Sequence, residues 1–207
     1  MVASALLVRL LLASACLATS VSAAPMNTAA QAEAAKAARV TDILSDLDLK
    51  LRVAVKFPGA AHAVTDGQRL APSATAEEPF VMLEGAKSDK LYALLLVDPD
   101  APDPAAPTYR SFLHWLVVDI PGGKGEASSG LTLVRYKGAS PPTGTHRYMF
   151  LAFEQKAHST ETEIRKEMPP ERNDFNVSDW LKVTGLGAPQ GFSFFLSDKA
   201  FEGQPDL

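Results

Sequence analysis

Cysteine is almost absent from this 207-residue chain, which contains only Cys16. That residue lies in a leading segment, residues 1–23, that we expect to be removed, so the mature chain has no thiol. Disulfides, cysteine nucleophiles and thiolate metal sites are therefore excluded together. The folded chain must derive its stability from its core.

An excess of positive charge is also missing. The chain has 20 Lys and Arg residues against 24 Asp and Glu residues, and its formal net charge is −4. General nucleic-acid binding requires a basic footprint, which this composition does not provide. We predict no nucleic-acid partner.

The leading segment has the features of a secretory signal peptide. It carries one basic residue, Arg9, then an apolar stretch through Leu17, and small residues at 21–23. This pattern predicts export with cleavage before Ala24. The apolar stretch is short for a membrane-spanning helix, which makes an uncleaved anchor the weaker alternative.

Short apolar runs separated by turn residues dominate the rest of the chain, and no internal repeat stands out. Such runs are typical of strands. They lie at residues 49–57, 80–83, 91–97, 112–120, 131–136, 147–154 and 192–196. About seven strands, with helices kept to the ends, favour a mainly β fold, an antiparallel β-sandwich with short peripheral helices.

Helices are predicted near both ends of the mature chain. Residues 27–39 are rich in alanine, a short charged helix is expected over 160–166, and Asn176 is a plausible N-cap for a helix that ends before Gly185. Asn176 also begins a sequence with the form of a glycosylation acceptor. We divide the chain into the signal, an N-terminal helical extension at 24–41 and a single domain at 42–207.

An acidic corner comes directly after the most apolar run. Asp98-Pro99-Asp100-Ala101-Pro102 ends residues 91–97, which are typical of a strand covered on both faces because they do not alternate. The two prolines end the strand pairing and restrict the backbone of the corner. An ordinary turn would use the same residue types, so the corner alone does not establish a site.

Two histidines make a functional interpretation of this corner reasonable. His114 interrupts an otherwise apolar strand, and His146 comes after a Gly/Pro loop, residues 138–144, at the start of another. Gly138 and Gly144 allow positive φ, so backbone N–H groups of the loop could point at an anion. The carboxylates then fit if they keep the histidines cationic or face a positive group on the ligand.

Together these motifs resemble the phosphatidylethanolamine-binding protein family, also called the Raf kinase inhibitor protein family. The resemblance covers roughly residues 42–196 and rests on the acidic corner, Tyr109-Arg110, residues 113–117, and the loop with His146-Arg147-Tyr148. It implies a large antiparallel sheet, a smaller sheet, and a small pocket for phosphate or phosphoethanolamine head groups. By position, the implied pocket residues are Asp98, Asp100, Ala101, Pro102, Phe112, His114, Gly138, Pro141, Pro142, His146 and Tyr148.

The pocket loop departs from the family pattern in two places. Ser140 replaces a common glycine, and the stretch from Pro142 to His146 is shorter than in many animal members. The resemblance therefore implies the pocket chemistry and leaves the size of the ligand open.

The leading functional prediction is a secreted, non-enzymatic binding protein. It would bind phosphatidylethanolamine or phosphate, with peripheral membrane contact, or modulate a protein partner, a serine protease or a kinase pathway. We expect a monomer, with no catalytic residue, metal or cofactor.

Two alternatives stay open. One is a metal-dependent hydrolase that uses the Asp/His cluster, although no His-Glu-x-x-His pair or Gly-x-Ser-x-Gly elbow is present. The other is a structural role, in which the aspartates cap a turn and the histidines satisfy buried carbonyls.

Overall fold

Strands and short helices make up the part of the chain that the structure, a computed structural model, describes: residues 28–156 and 171–201. The strands are β1 (Arg52–Lys56), β2 (Gln68–Arg69), β3 (Phe80–Glu84), β4 (Leu91–Asp98), β5 (Phe112–Pro121), β6 (Leu131–Val134), β7 (Thr145–Gln155) and β8 (Gly191–Asp198). The α-helices are α1 (Thr28–Ala37) and α2 (Val177–Thr184), and 3₁₀ turns lie at Val40–Asp42, Pro72–Thr75, Ala127–Ser129 and Arg172–Asp174.

The strands form two sheets. The large sheet has the order β2-β8-β7-β4-β5-β6, and β1 pairs with β3 in a small sheet. All of these pairs are antiparallel except β2 with β8, which is parallel. The predicted mainly β architecture, a large sheet with a smaller one, is confirmed.

β4 lies at the centre of the large sheet and is covered on both faces. Its Leu94 packs into the core shared with the small sheet, together with Val53 and Val55 of β1. The next residue, Leu95, faces the opposite core and pairs with Leu151 of β7. A strand buried on both sides needs no polar face, which explains its continuous apolar run.

The two helices cover the outer face of the large sheet. Ala35 of α1 and Trp180 of α2 are buried in the same core as Leu95. Asn176 caps α2 as predicted, because its side chain accepts a 3.0 Å hydrogen bond from Asp179 N. Gly185, at φ 67°, ends the helix. Part of the predicted N-terminal extension therefore packs against the same core as the domain it precedes.

The strand bounds differ from the predicted ones at a few ends. β1 begins at Arg52 rather than at residue 49, and β6 ends at Val134 rather than at residue 136. The sequence did not predict β2, whose Gln68 pairs with Phe195, because two residues are too short to show a period.

Two predicted segments cannot be compared with the structure. The predicted signal peptide and the predicted helix at 160–166 lie outside the described residues. Within the described ranges, none of the helices has the length and apolar character that a membrane crossing requires.

Candidate functional site

A cavity of about 200 Å³ opens where β4 ends and its neighbours β5 and β7 begin. It is smaller than the roughly 300–1,000 Å³ of pockets for drug-sized ligands. The residues that line it include Asp98, Ala101, Pro102, Tyr109, Phe112, His114, Lys137, Ser140, Pro142 and Tyr148. Most of the predicted pocket residues are thus brought together, although their role in binding stays a prediction.

Asp98 and His146 form a buried pair behind the cavity. His146 Nδ1 donates to Asp98 Oδ2 at 2.7 Å, and Asp98 Oδ1 accepts from Asp100 N at 2.8 Å. His146 Nε2 donates to the Thr143 carbonyl at 2.9 Å. Because both ring nitrogens face acceptors, the ring is doubly protonated. Burial opposes this charge, but the hydrogen bond and charge of Asp98 outweigh burial and raise the pKa of His146.

His146 therefore stabilises the site without being a free ligand group. Its side chain is 0% exposed, and both nitrogens already have partners. The sequence prediction placed it in the pocket wall. The structure places His146 behind the residues that line the cavity, where its charge neutralises the Asp98 carboxylate.

His114 is the imidazole that reaches the cavity, and it is neutral. Its Nδ1 donates to the Lys137 carbonyl at 2.8 Å, which leaves Nε2 unprotonated and without a partner among the described residues. Burial lowers the pKa of His114 to about 4. Of the two uses considered for the carboxylates, keeping a histidine cationic applies to His146, whereas His114 is neutral.

Both carboxylate oxygens of Asp100 are occupied by Arg147, so this side chain is not available to a ligand. The carboxylate Oδ2 accepts from Arg147 Nε at 2.7 Å and from Arg147 N at 2.9 Å, and Oδ1 accepts from Nη2. This fork outweighs burial and lowers the pKa of Asp100. Asp100 is thus a structural neighbour of the pocket, with its side chain 6% exposed.

The pocket loop is held from behind by the turn at Pro72–Thr75. Ala139 N donates to Thr75 Oγ1 at 3.1 Å, and a Cβ at Gly138 would lie 2.5 Å from the Thr75 carbonyl oxygen. Gly144 has the predicted positive φ, at 70°, whereas Gly138 is a glycine because of this close approach. Pro141 is buried in the same loop.

The loop residues of the described wall, Ser140 and Pro142, have no free backbone N–H for a ligand, since proline lacks the group. Ala139 N is bonded to Thr75, and Ser140 N donates to the Tyr148 hydroxyl at 3.3 Å. These two N–H groups are therefore already satisfied by the protein. On the loop side of the described wall, the free donors therefore belong to side chains.

Four side chains of the described wall, those of Tyr109, Lys137, Ser140 and Tyr148, carry a donor for a ligand in the cavity. The Tyr148 hydroxyl keeps its proton because burial, aided by the charge of Asp98, raises its pKa, and that proton has no acceptor among the described residues. Ser140 is exposed at the mouth, and the Lys137 ammonium lies 6.0 Å from the centre of the Phe112 ring. The sequence prediction missed Lys137 and Tyr109 as wall residues. A cation directly before the loop was the available signal for Lys137.

Acid should destabilise the fold through His114. The unfolded imidazole takes up a proton below pH 6.5, whereas the folded one does so only near pH 4, so stability falls as the pH drops through this window. We expect His114→Asn, whose amide can keep the bond to the Lys137 carbonyl, to lack this loss. Urea unfolding at pH 7 and pH 4 should show the wild type losing up to roughly 3 kcal/mol relative to the variant. Equal pH dependence of the two proteins would contradict a neutral His114.

The structure also bears on the metal-dependent alternative. Within residues 28–156 and 171–201, no group of three or more His, Cys, Asp or Glu side chains is arranged to hold a metal ion. The carboxylates of the acidic corner instead accept hydrogen bonds from His146 and Arg147. The structural alternative describes the Asp98 turn and both histidine–carbonyl contacts correctly, but these contacts surround an open cavity.

Fold and site together define a two-sheet β protein with a small pocket of mixed polar and apolar lining at one end of its large sheet. Residues 60–195 match the family model described as phosphatidylethanolamine-binding protein. The chain belongs to this family.

Relatives and solved structures agree with this assignment. The chain is 40% identical over 137 residues to protein MOTHER of FT and TFL1 homolog 2 of Oryza sativa subsp. japonica, which covers 66% of this chain and 76% of the relative. It is 33% identical over 156 residues to protein FLOWERING LOCUS T of Arabidopsis thaliana, with 75% and 85% covered. The fold resembles a carboxypeptidase Y inhibitor solved in complex with its cognate proteinase, with a TM-score of 0.67, 21% identity, and 83% and 95% covered.

Proposed function

We propose that this protein binds a phosphate-type anion, such as a phosphoethanolamine head group, and does not convert it. The observation that carries the proposal is the balance of groups at the cavity. The carboxylate of Asp98 is neutralised by a buried cation, while Tyr148, Ser140 and Lys137 offer donors. An anion needs such donors and an environment without unbalanced negative charge.

Non-catalytic binding agrees with the pocket chemistry. Covalent catalysis by a serine requires a base within hydrogen-bond reach. Among the described residues, Ser140 Oγ has no hydrogen bond to His114, whose Nδ1 donates to the Lys137 carbonyl. This arrangement favours a binding protein over a serine hydrolase.

The proposal includes export and the modulation of a protein partner. Residues 1–23 have the pattern of a signal peptide, and an exported protein meets proteases more readily than cytosolic kinases. The likeness to the carboxypeptidase Y inhibitor, at 21% identity, is a likeness of fold, so a protease partner rests on the predicted address alone. A lipid head group at a membrane surface would be the other source of the same ligand chemistry.

The test is a titration with phosphoethanolamine, monitored by calorimetry and by phosphorus NMR. The protein should be recovered from the medium of a eukaryotic host, where an N-terminus at Ala24 would support export. We expect saturable binding that weakens about tenfold or more in Tyr148→Phe, because a hydrogen bond to a charged group is lost. Lys137→Ala should weaken binding in a salt-dependent manner, and Lys124→Ala, an exposed lysine outside the described pocket wall, serves as the matched control.

The outcomes separate the candidate functions. Absence of binding, or equal binding by wild type and Tyr148→Phe, would overturn the proposed site. Stoichiometric metal in the purified protein together with release of phosphate from the ligand would favour the hydrolase instead. Retention of the protein inside the host would remove export from the proposal.

A further inference from the structure

We propose that this pocket prefers a phosphomonoester carrying one proton to a phosphodiester, an inference that rests on the proposed function. The preference arises because the wall presents a bare imidazole nitrogen to the ligand. A monoester, or inorganic phosphate, has a P–O–H group that can donate to this nitrogen. A diester has none.

The hydrogen bond at the back of His114 fixes which nitrogen is bare. A carbonyl oxygen can only accept, so the 2.8 Å contact with the Lys137 carbonyl places the proton on Nδ1. The ring is held between Phe112, whose centre lies 5.0 Å away, and Tyr148, at 5.1 Å. Nε2 is therefore presented to the cavity as an acceptor.

The groups around His114 maintain its neutral state. Arg172 lies behind it and donates from Nη1 to the His114 carbonyl at 2.9 Å, and the Lys137 ammonium stands on the mouth side. Both cations disfavour a second proton on the ring, as burial does, while the charge of Asp98 favours it. The balance of these groups keeps Nε2 unprotonated in the empty pocket.

The polar side chains of the wall match the donor and acceptor pattern of a protonated monoester. Tyr148, Ser140 and Lys137 can donate to phosphate oxygens, and His114 Nε2 can accept the remaining proton. A diester would set an oxyanion or an ester oxygen against the Nε2 lone pair.

The proton count gives a measurable signature. The complex with a monoester holds one proton between the ligand and Nε2, wherever along the hydrogen bond it resides. A free phosphomonoester loses this proton with a pKa of about 6. Its affinity should therefore fall roughly 20-fold between pH 5.5 and pH 7.5, with uptake of close to one proton per bound ligand at the higher pH.

The decisive experiment compares methyl phosphate with dimethyl phosphate, which differ by one methyl group and carry no ammonium. Calorimetry on the mature protein, in two buffers of different ionisation enthalpy, gives both affinity and proton uptake. We expect methyl phosphate to bind at least tenfold more tightly at pH 5.5 and to show the pH dependence above. Phosphoethanolamine and glycerophosphoethanolamine then distinguish a soluble monoester from the diester head group of a lipid.

Two variants test the assigned atoms. His114→Asn keeps a donor for the Lys137 carbonyl but removes Nε2, and should lose most of the preference and of the proton uptake. Lys137→Met removes a charge and leaves the carbonyl in place, so both esters should bind more weakly with the proton uptake unchanged.

The failures of the two proposals can be told apart. If neither ester nor phosphoethanolamine binds at any pH, the proposed function is wrong. If both esters bind equally well, or methyl phosphate binds without taking up a proton, the pocket is an anion site and the monoester preference is wrong. If wild type shows the preference and folded His114→Asn retains it, the assignment to Nε2 is wrong.

Discussion

Replacing His146 by alanine is expected to lower the free energy of unfolding by about 3–5 kcal/mol. The side chains of His146 and Asp98 are 0% and 3% exposed, so water cannot substitute for the lost partner. The variant would bury a carboxylate whose one remaining donor, among the described residues, is the Asp100 N–H. Chemical denaturation at pH 6 is the measurement, because the histidine is protonated there in the folded protein.

The matched control is the double variant Asp98→Asn/His146→Ala. Without a buried charge it should be more stable than His146→Ala, although it still lacks the packing of the imidazole. An exposed pair, Asp179 with Lys182, provides the surface comparison, and Lys182→Ala should cost less than about 1 kcal/mol. A cost for His146→Ala as small as this surface value would contradict the buried ion pair.

The pH dependence of this pair has a defined sign. Because the folded pKa of His146 is raised, its contribution is fully present below the unfolded value of 6.5. It is lost as the pH rises through the folded pKa. The difference between wild type and His146→Ala should therefore shrink in alkaline solution, while the acid loss that arises from His114 affects both proteins.

The fold could be predicted well where burial leaves a period in the sequence. The run at 91–97 became β4, and the alternation around residues 147–154 became β7, with Tyr148 on one core face and Met149 on the other. The Asn176 cap and the Gly185 stop are local features and were equally predictable. Each of these predictions depends on the nearest neighbours along the chain.

The site was predictable as a set of residues but not as an arrangement of charges. The sequence analysis predicted that four residues lie close together at one end of the sheet: Asp98, Asp100, His114 and His146. The structure places them close together there. Which histidine is cationic depends on burial and on distant carbonyls, such as that of Lys137, which no spacing rule specifies. The contacts of Arg147 could not be predicted from the sequence either, since its partners Asp100 and Ala38 lie far from it along the chain.

Arg147 joins three parts of the protein through one guanidinium group. It forks onto Asp100 behind the pocket, contacts Asp42 Oδ2 through Nη1 at 2.9 Å, and donates from the same nitrogen to the Ala38 carbonyl at 2.7 Å. Its side chain is 12% exposed, which places these bonds largely out of solvent. The planar fork of arginine supplies these directions together, and a lysine ammonium cannot.

Arg147→Met is therefore expected to lower the free energy of unfolding by about 3–5 kcal/mol, because Asp100 would be left nearly buried and without its cation. Arg147→Lys should recover the charge but not the fork, and should remain clearly less stable than wild type. The readouts are urea unfolding and amide hydrogen exchange, and exchange in α1 should accelerate because the tie to Ala38 is gone.

The structure contains its own comparison for this effect. Arg39 also pairs with Asp42, at 3.3 Å, but its side chain is 73% exposed, so Arg39→Ala should change stability by less than about 1 kcal/mol. Arg147→Met/Asp100→Asn should be more stable than Arg147→Met alone, because the uncompensated carboxylate is the main source of the loss. If Arg147→Met cost no more than Arg39→Ala, the link between the pocket corner and the N-terminal helix would be only a surface contact. If Arg147→Met lowered the free energy of unfolding strongly but left amide hydrogen exchange in α1 unchanged, Arg147 would act through Asp100 alone.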